Sequence, residues 1–140
     1  MKIKSIHPVK KSKAELPLYL ESIKAGFPSP ADDFIDKKLD LNDLLIKHPV
    51  ATFFVRVSGD SMLGAGIHSG DILVVDRALE AVNDNIVVAV INSELTVKRL
   101  RTTRGKVVLM PENSNYKPIE ISENDDFSIW GVVTSVIHKV

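Results

Sequence analysis

From Thr52 onward, short apolar runs alternate with clusters of turn-forming residues, and this pattern constrains the fold more than any other feature of the chain. The runs are Thr52–Val57, Ile72–Asp76, Ile86–Ile91, Leu95–Leu100, Lys106–Met110, Ile119–Ile121 and Ile129–Ile137. Between them lie Gly64-Ala65-Gly66, Ser69-Gly70-Asp71, Asn83-Asp84-Asn85, Asn92-Ser93, Arg104-Gly105 and Asn113-Ser114-Asn115. Glycine, asparagine and aspartate supply the backbone conformations that tight turns need, so each cluster ends one strand and starts the next. The spacing predicts a mainly β, compact and mostly antiparallel domain.

The first 48 residues follow another rule. Lys2, Lys4, Lys10, Lys11 and Lys13 crowd a stretch broken by Pro8 and Pro17, with few core-sized residues beyond Leu18, Tyr19, Leu20 and Ile23. Such a segment buries little against the entropy of ordering it, and it reads as an arm that is mobile or docked on a partner surface. Phe27-Pro28-Ser29-Pro30 breaks regular structure. Ser29-Pro30-Ala31-Asp32 then reads as a helix start, with Ser29 as N-cap, Pro30 at the first position and Asp32 and Asp33 near the positive dipole end. A second short helical turn is expected to begin at Asp40 and end before Pro49. No internal repeat or low-complexity tract is visible.

At 140 residues the chain is long enough for one domain with a real core. Lys+Arg and Asp+Glu are both 18, and this balance argues against a dedicated nucleic-acid-binding domain; no direct sequence-specific DNA binding is expected. The absence of cysteine excludes thiol catalysis, cysteine zinc sites and disulfides. No apolar run approaches the roughly 18 residues of a membrane span, and Met1-Lys2-Ile3-Lys4 has no apolar stretch behind it to make a signal peptide. A cytoplasmic location without membrane association is expected.

One pair of residues carries chemistry. Ser61 lies in Val57-Ser58-Gly59-Asp60-Ser61-Met62, a turn just after an apolar run. Lys98 lies inside Leu95-Thr96-Val97-Lys98-Arg99-Leu100, where an ammonium costs several kcal/mol to bury unless it pairs or loses its proton. A deprotonated lysine is a general base, and a serine within its reach is then a nucleophile without any histidine. Thr96 and Lys98 share a strand face, so the threonine hydroxyl can orient the amine. The Gly59-Asp60-Ser61 turn would leave the Ser61 N–H near a developing oxyanion. Met62, Leu63 and Ile67 offer apolar cover that favours the neutral amine. By spacing alone, the commoner account of the same residues is a turn serine and a lysine whose head reaches out at a sheet edge.

Ser58-Gly59-Asp60-Ser61-Met62, then Gly66 to Asp76, then Leu95-Thr96-Val97-Lys98, together resemble the UmuD/LexA family of self-cleaving Ser-Lys proteins. That family shows a serine inside an SG-x-S-M turn, a following G-D-x-L-x-V-D strand and a lysine in a T-V-K strand. All three blocks stand here in order, with the lysine 37 positions after the serine. The resemblance covers most of the chain from Gly26 on. It implies a LexA/UmuD-type β-domain, with Ser61 as nucleophile, Lys98 as base and the backbone N–H groups of Asp60 and Ser61 as the oxyanion site. Members cut themselves at an Ala-Gly or Cys-Gly bond, and Ala25-Gly26 stands at the matching place; small residues suit a narrow cleft. The resemblance therefore divides the chain into an arm, 1–25, removed by self-cleavage; a linker with short helices, 26–48; and the peptidase domain, 49–140. It also implies a homodimer, cleavage promoted by a RecA–single-stranded-DNA filament, and partnership of the shortened form with a UmuC-like translesion polymerase in SOS mutagenesis. No cofactor is implied. LexA-type repressors carry a helix-turn-helix domain ahead of the cut, and the 25 residues before Gly26 are too few for one. Two other readings stand beside this one: a polymerase- or filament-binding module governed by its arm, and a signal peptidase, which shares the Ser-Lys chemistry but uses a membrane anchor.

Other signals are weaker. Ser114-Asn115-Tyr116-Lys117 matches S-x-x-K, but Pro111 and Pro118 bracket it, and the penicillin-recognising motif needs a helix there. Gly64-Ala65-Gly66 followed by Gly70 misses the dinucleotide fingerprint by one position. His7, His48, His68 and His138 have no metal-ligand spacing, and no metal site is expected. Asp32-Asp33 is accounted for by a helix start, and the early lysines by a solvated tail.

Overall fold

The structure, a computed structural model, describes residues 1–10, 15–19 and 35–140. Its described strands are β1 (Lys2–Pro8), β2 (Glu15–Tyr19), β3 (Ile35–Asp40), β4 (Thr52–Ser58), β5 (Ile72–Asp76), β6 (Ile86–Ile91), β7 (Glu94–Thr103), β8 (Lys106–Met110), β9 (Ile119–Glu120) and β10 (Phe127–Ile137), with one short helix, α1 (Leu41–Leu45). Every expected strand from Thr52 on is present. β7 runs on through exposed Arg101–Thr103 because backbone pairing continues past its last core side chain, and β10 starts earlier than expected, at Phe127, which packs on the core.

The chain divides into two units, Lys10–Lys47 and the remainder. In the smaller one, β2 and β3 form an antiparallel pair, with Glu15 opposite Asp40 and Tyr19 opposite Ile35. Asp40 then caps α1, its carboxylate accepting the Asn42 N–H at 2.9 Å. This is the helical turn expected from Asp40. Residues 35–40, assigned by sequence to a linker with short helices, are a strand instead. Ile35 and Leu39 fit an i, i+4 helical spacing and a period of two equally well, so the pattern alone could not decide. The helix start at Ser29–Asp32 lies outside the described residues.

The larger unit is one antiparallel sheet in the order β1-β4-β5-β10-β6-β7-β8-β9. A further pairing, Lys2 opposite Thr96, joins β1 to β7 and closes the first six strands of that order into a ring. β1 is the unexpected member. Its residues fall in the segment read as an arm, yet Lys2 to Pro8 pair with Ser58 to Phe53 of β4. Ile3 and Ile6 pack on the core while Lys2, Lys4 and His7 stay exposed, so a strand rich in lysine still supplies apolar surface. Register shifts at Ser5 in β1 and near Gly131 and Ser135 in β10 let the strands bend around the ring.

Two apolar clusters fill the unit. Val55, Val57, Met62, Ile67, Leu73, Val75, Val88 and Val97, all fully buried, form one with Met1. Val87, Ala89, Leu100, Leu109 and Val132 form the other. Leu73→Ala should cost about 2–5 kcal/mol, since the rigid strands on either side cannot close on the void. The check is a lower urea midpoint with an unchanged slope.

Candidate active site

Ser61 sits at the end of β4, where the chain leaves the sheet. Gly59 turns it with φ of 96°, a left-handed conformation that a side chain would strain. Met62, with no exposed surface, drops into the core directly after Ser61 and fixes the turn from below. Lys98 comes from β7, where Val97 faces the first cluster and Thr96 and Lys98 face the cleft.

The two elements meet at the side chains. Lys98 Nζ lies 3.1 Å from Ser61 Oγ, 3.2 Å from Thr96 Oγ1 and 3.1 Å from the Val97 carbonyl oxygen. Ser61 is 1% exposed and Lys98 5%. An ammonium has three donors, and three oxygens stand ready to accept them. Burial nevertheless lowers the proton affinity of Lys98, with the neighbouring Met1 amine acting in the opposite direction. Once Nζ is neutral it has a lone pair, and the 3.1 Å contact can reverse so that Ser61 donates to it.

A third group enters this cleft. The Met1 α-amine donates to Ser61 Oγ at 2.7 Å, and Thr96 Oγ1 lies 3.4 Å from the Met1 carbonyl oxygen. Burial, and then Lys98 beside it, push the amine down to about 5, so it is neutral at pH 7.

Residues 17–134 match the Peptidase S24-like family. The chain is 49% identical over 120 residues to Protein MucA of Salmonella typhimurium, covering 85% of this chain and 82% of that protein. It is 47% identical over 123 residues to Protein SamA of Salmonella typhimurium strain LT2, covering 88% and 85%. It is 37% identical over 115 residues to the LexA repressor of Bordetella parapertussis, covering 82% of this chain and 53% of the repressor. The chain belongs to the LexA/UmuD family of S24 peptidases. Among the described residues, no helix is long and apolar enough to cross a membrane.

In this family member the serine turn is held by a loop that sequence reasoning passed over. The segment after β8 reaches back to it: the Glu112 N–H donates to the Ser61 carbonyl at 2.8 Å and the Gly64 N–H to the Glu112 carbonyl at 2.7 Å. Asn113 Nδ2 donates to the Asp60 carbonyl at 2.9 Å, and the Tyr116 hydroxyl donates to the Asp60 carboxylate. That bond raises the Tyr116 proton affinity. Arg99, next to Lys98, binds Glu112 Oε1 through Nε at 2.5 Å, so both halves of the cleft anchor on one residue. The Ser114–Lys117 tetrapeptide is part of this loop and not of a helix. With the Asp60 and Ser61 carbonyls tied down, no acceptor among the described residues takes the N–H of either. Ala25 and Gly26 lie outside the described residues.

Histidines far apart in sequence also converge. His138 Nδ1 lies 2.6 Å from Asp71 Oδ1, and the His68 N–H donates to Asp71 Oδ2 at 2.7 Å. The His68 and His138 rings lie 4.6 Å apart, and the ligand atoms of the trio fall within 4.8 Å of one another. Burial opposes ionisation of Asp71, but the His68 N–H and the His138 imidazole outweigh it and hold the carboxyl below its usual range. Both carboxylate oxygens are therefore engaged. The trio straps the end of β10 to the loop that follows Ser61.

A Cβ on Gly64 would stand 2.8 Å from the Glu112 carbonyl oxygen, a backbone atom that cannot swing aside. Gly64→Ala should destabilise the protein by about 1–3 kcal/mol and loosen the serine turn. Denaturant unfolding, with hydrogen exchange at Ser61 and Glu112, checks both effects.

Proposed function

We propose that this chain is an autocatalytic Ser-Lys endopeptidase that cuts its own Ala25–Gly26 bond. The observation that carries the reading is a buried lysine Nζ 3.1 Å from a buried serine Oγ in a member of the S24 peptidases. Neutral Lys98 takes the Ser61 proton as Oγ bonds to the Ala25 carbonyl carbon. The backbone N–H groups of Asp60 and Ser61 receive the oxyanion. Collapse breaks the Ala25–Gly26 bond, and Lys98 returns the proton to the departing Gly26 nitrogen. Water then gives a proton to Lys98, attacks the ester and releases Ala25 as a carboxylate with Ser61 restored. Thr96 orients Nζ. Because the bond belongs to the same protein, the step gains effective concentration within one chain or across a homodimer.

The arm 1–25 is then lost, and 26–48 remains as a linker on the peptidase domain, 49–140. From the family resemblance, a RecA–single-stranded-DNA filament promotes the cut, and the shortened form joins a UmuC-like translesion polymerase in the cytoplasm for SOS mutagenesis. The filament acts by docking the scissile segment and excluding water from Lys98, and need supply no catalytic group.

Incubation of the pure protein at alkaline pH should release a fragment that begins at Gly26 by mass spectrometry. Ser61→Ala and Lys98→Ala should each reduce that product to background, with the double variant no worse than either, because nucleophile and base act as a unit. A cleavage rate for Lys98→Ala near that of the unaltered protein would end the general-base assignment.

The pH dependence has a definite sign. Burial lowers Lys98 from the ordinary value of 10.5, so the unfolded chain holds this proton to higher pH than the folded one. Folding stability from this group therefore rises with pH between the lowered value and 10.5. The self-cleavage rate should climb through the lowered value and level off once Nζ is neutral. A rate flat from neutral to strongly alkaline pH would exclude lysine as the base.

A further inference from the structure

The catalytic cleft already holds a strand. Lys2 of β1 pairs with Ser58 of β4 on one side and with Thr96 of β7 on the other, the two strands that carry the serine turn and the lysine. Met1 is 8% exposed and packs with Val55, Val57 and Met62. Its nitrogen, 2.7 Å from Ser61 Oγ, occupies the space an attacked peptide group needs. The polarity is informative. The chain runs away from Ser61 into β1, the direction that the downstream half of a substrate takes. Met1 thus stands where Gly26 would stand, and the Met1 carbonyl meets Thr96 Oγ1.

We propose that β1 is a resident, product-like occupant of the peptide groove between β4 and β7, and that the Ala25–Gly26 segment reaches Ser61 only after β1 has peeled away. The inference rests on the self-cleavage reading for its consequence, but the occupancy is testable without it. Ser61 cannot receive the Ala25 carbonyl while its oxygen holds the Met1 amine at 2.7 Å. Peeling exposes Ile3, Ile6 and Met1 and breaks the pairing with β4, while β4 stays paired with β5 and the rest of the sheet remains joined. Such a local opening needs less free energy than global unfolding. Slow cleavage without a partner follows directly, and a factor that favours the peeled state would speed it.

The chain has no cysteine, so a designed pair can form only one disulfide within a chain. Ser5 and Arg56 are register partners on β1 and β4. In Ser5→Cys/Arg56→Cys, oxidation should lock β1 in the groove. Two readouts are taken on the oxidised and reduced forms: release of the Gly26 fragment, and mass labelling of Ser61 by a serine-reactive fluorophosphonate. Both should fall about tenfold or more on oxidation and recover on reduction. His7→Cys/Phe54→Cys, a second register pair, repeats the test if the first variant folds poorly. Ile6→Ser, which weakens β1 docking without touching the catalytic groups, should speed both readouts. Equal labelling of oxidised and reduced forms overturns the proposal, as does a reduced form whose Ser61 never labels. If oxidation controls labelling but no form, the unaltered protein included, releases the Gly26 fragment, then the groove occupancy holds and the self-cleavage reading fails.

Discussion

The structure is organised around the burial of one amine. Lys98 Nζ reaches three oxygens, one each from Ser61, Thr96 and Val97, inside a domain otherwise packed with valine, leucine and isoleucine. A buried ammonium without partners would cost several kcal/mol, and removing any one of these oxygens would leave a donor unmet. Satisfying all three makes the site affordable to a small domain, while the surrounding apolar surface still favours proton loss. The same environment thus holds the residue in place and favours the neutral amine, whose lone pair can take a proton. Thr96 contributes because β-strand alternation puts it on the face of Lys98, two residues away.

Holding the serine opposite that amine takes the rest of the sheet. Ser61 belongs to a turn, and a turn alone cannot define a position to within a hydrogen bond. Here Met62 is sunk in the core on one side, and the Glu112–Tyr116 loop grips the Asp60 and Ser61 backbone on the other. Arg99 then couples the loop to the lysine strand through Glu112. The Asp71–His138 contact adds a tie from the far end of β10. The distance between Ser61 and Lys98 is therefore set by packed strands and backbone hydrogen bonds rather than by the two side chains themselves.

The β-domain was legible because its signals are local. Strand pattern and turn chemistry are written within a few residues of each other, and the expected strands from Thr52 on all appear. Ser61, Thr96 and Lys98 are legible for the same reason: a serine after a glycine turn and a lysine in an apolar strand are anomalies visible in place. What stayed hidden depends on distant partners. Nothing in Pro111–Tyr116 says that it will grip Asp60, and His68, Asp71 and His138 meet only after β5 and β10 pair. β1 was hidden differently. Its lysines read as a solvated arm, yet they project from one side of a strand whose isoleucines are docked. Composition averages over faces that a strand keeps apart.

That misread strand changes how the proposed cut should act. The segment 1–25 contains β1, so cutting after Ala25 releases more than a tail: it severs the tether of a strand that closes the ring. Before the cut, β1 rebinds at the high effective concentration of an attached segment. Afterwards it binds only at the concentration of a free peptide, and the entropy that favoured docking is gone. β4 then loses its partner on one side while keeping β5 on the other. Its backbone N–H and C=O groups beside Ser61 become an open sheet edge, a surface suited to adding a strand from another chain. On this account the chemistry is brief, and its lasting product is an edge that the uncut protein keeps covered with its own first residues.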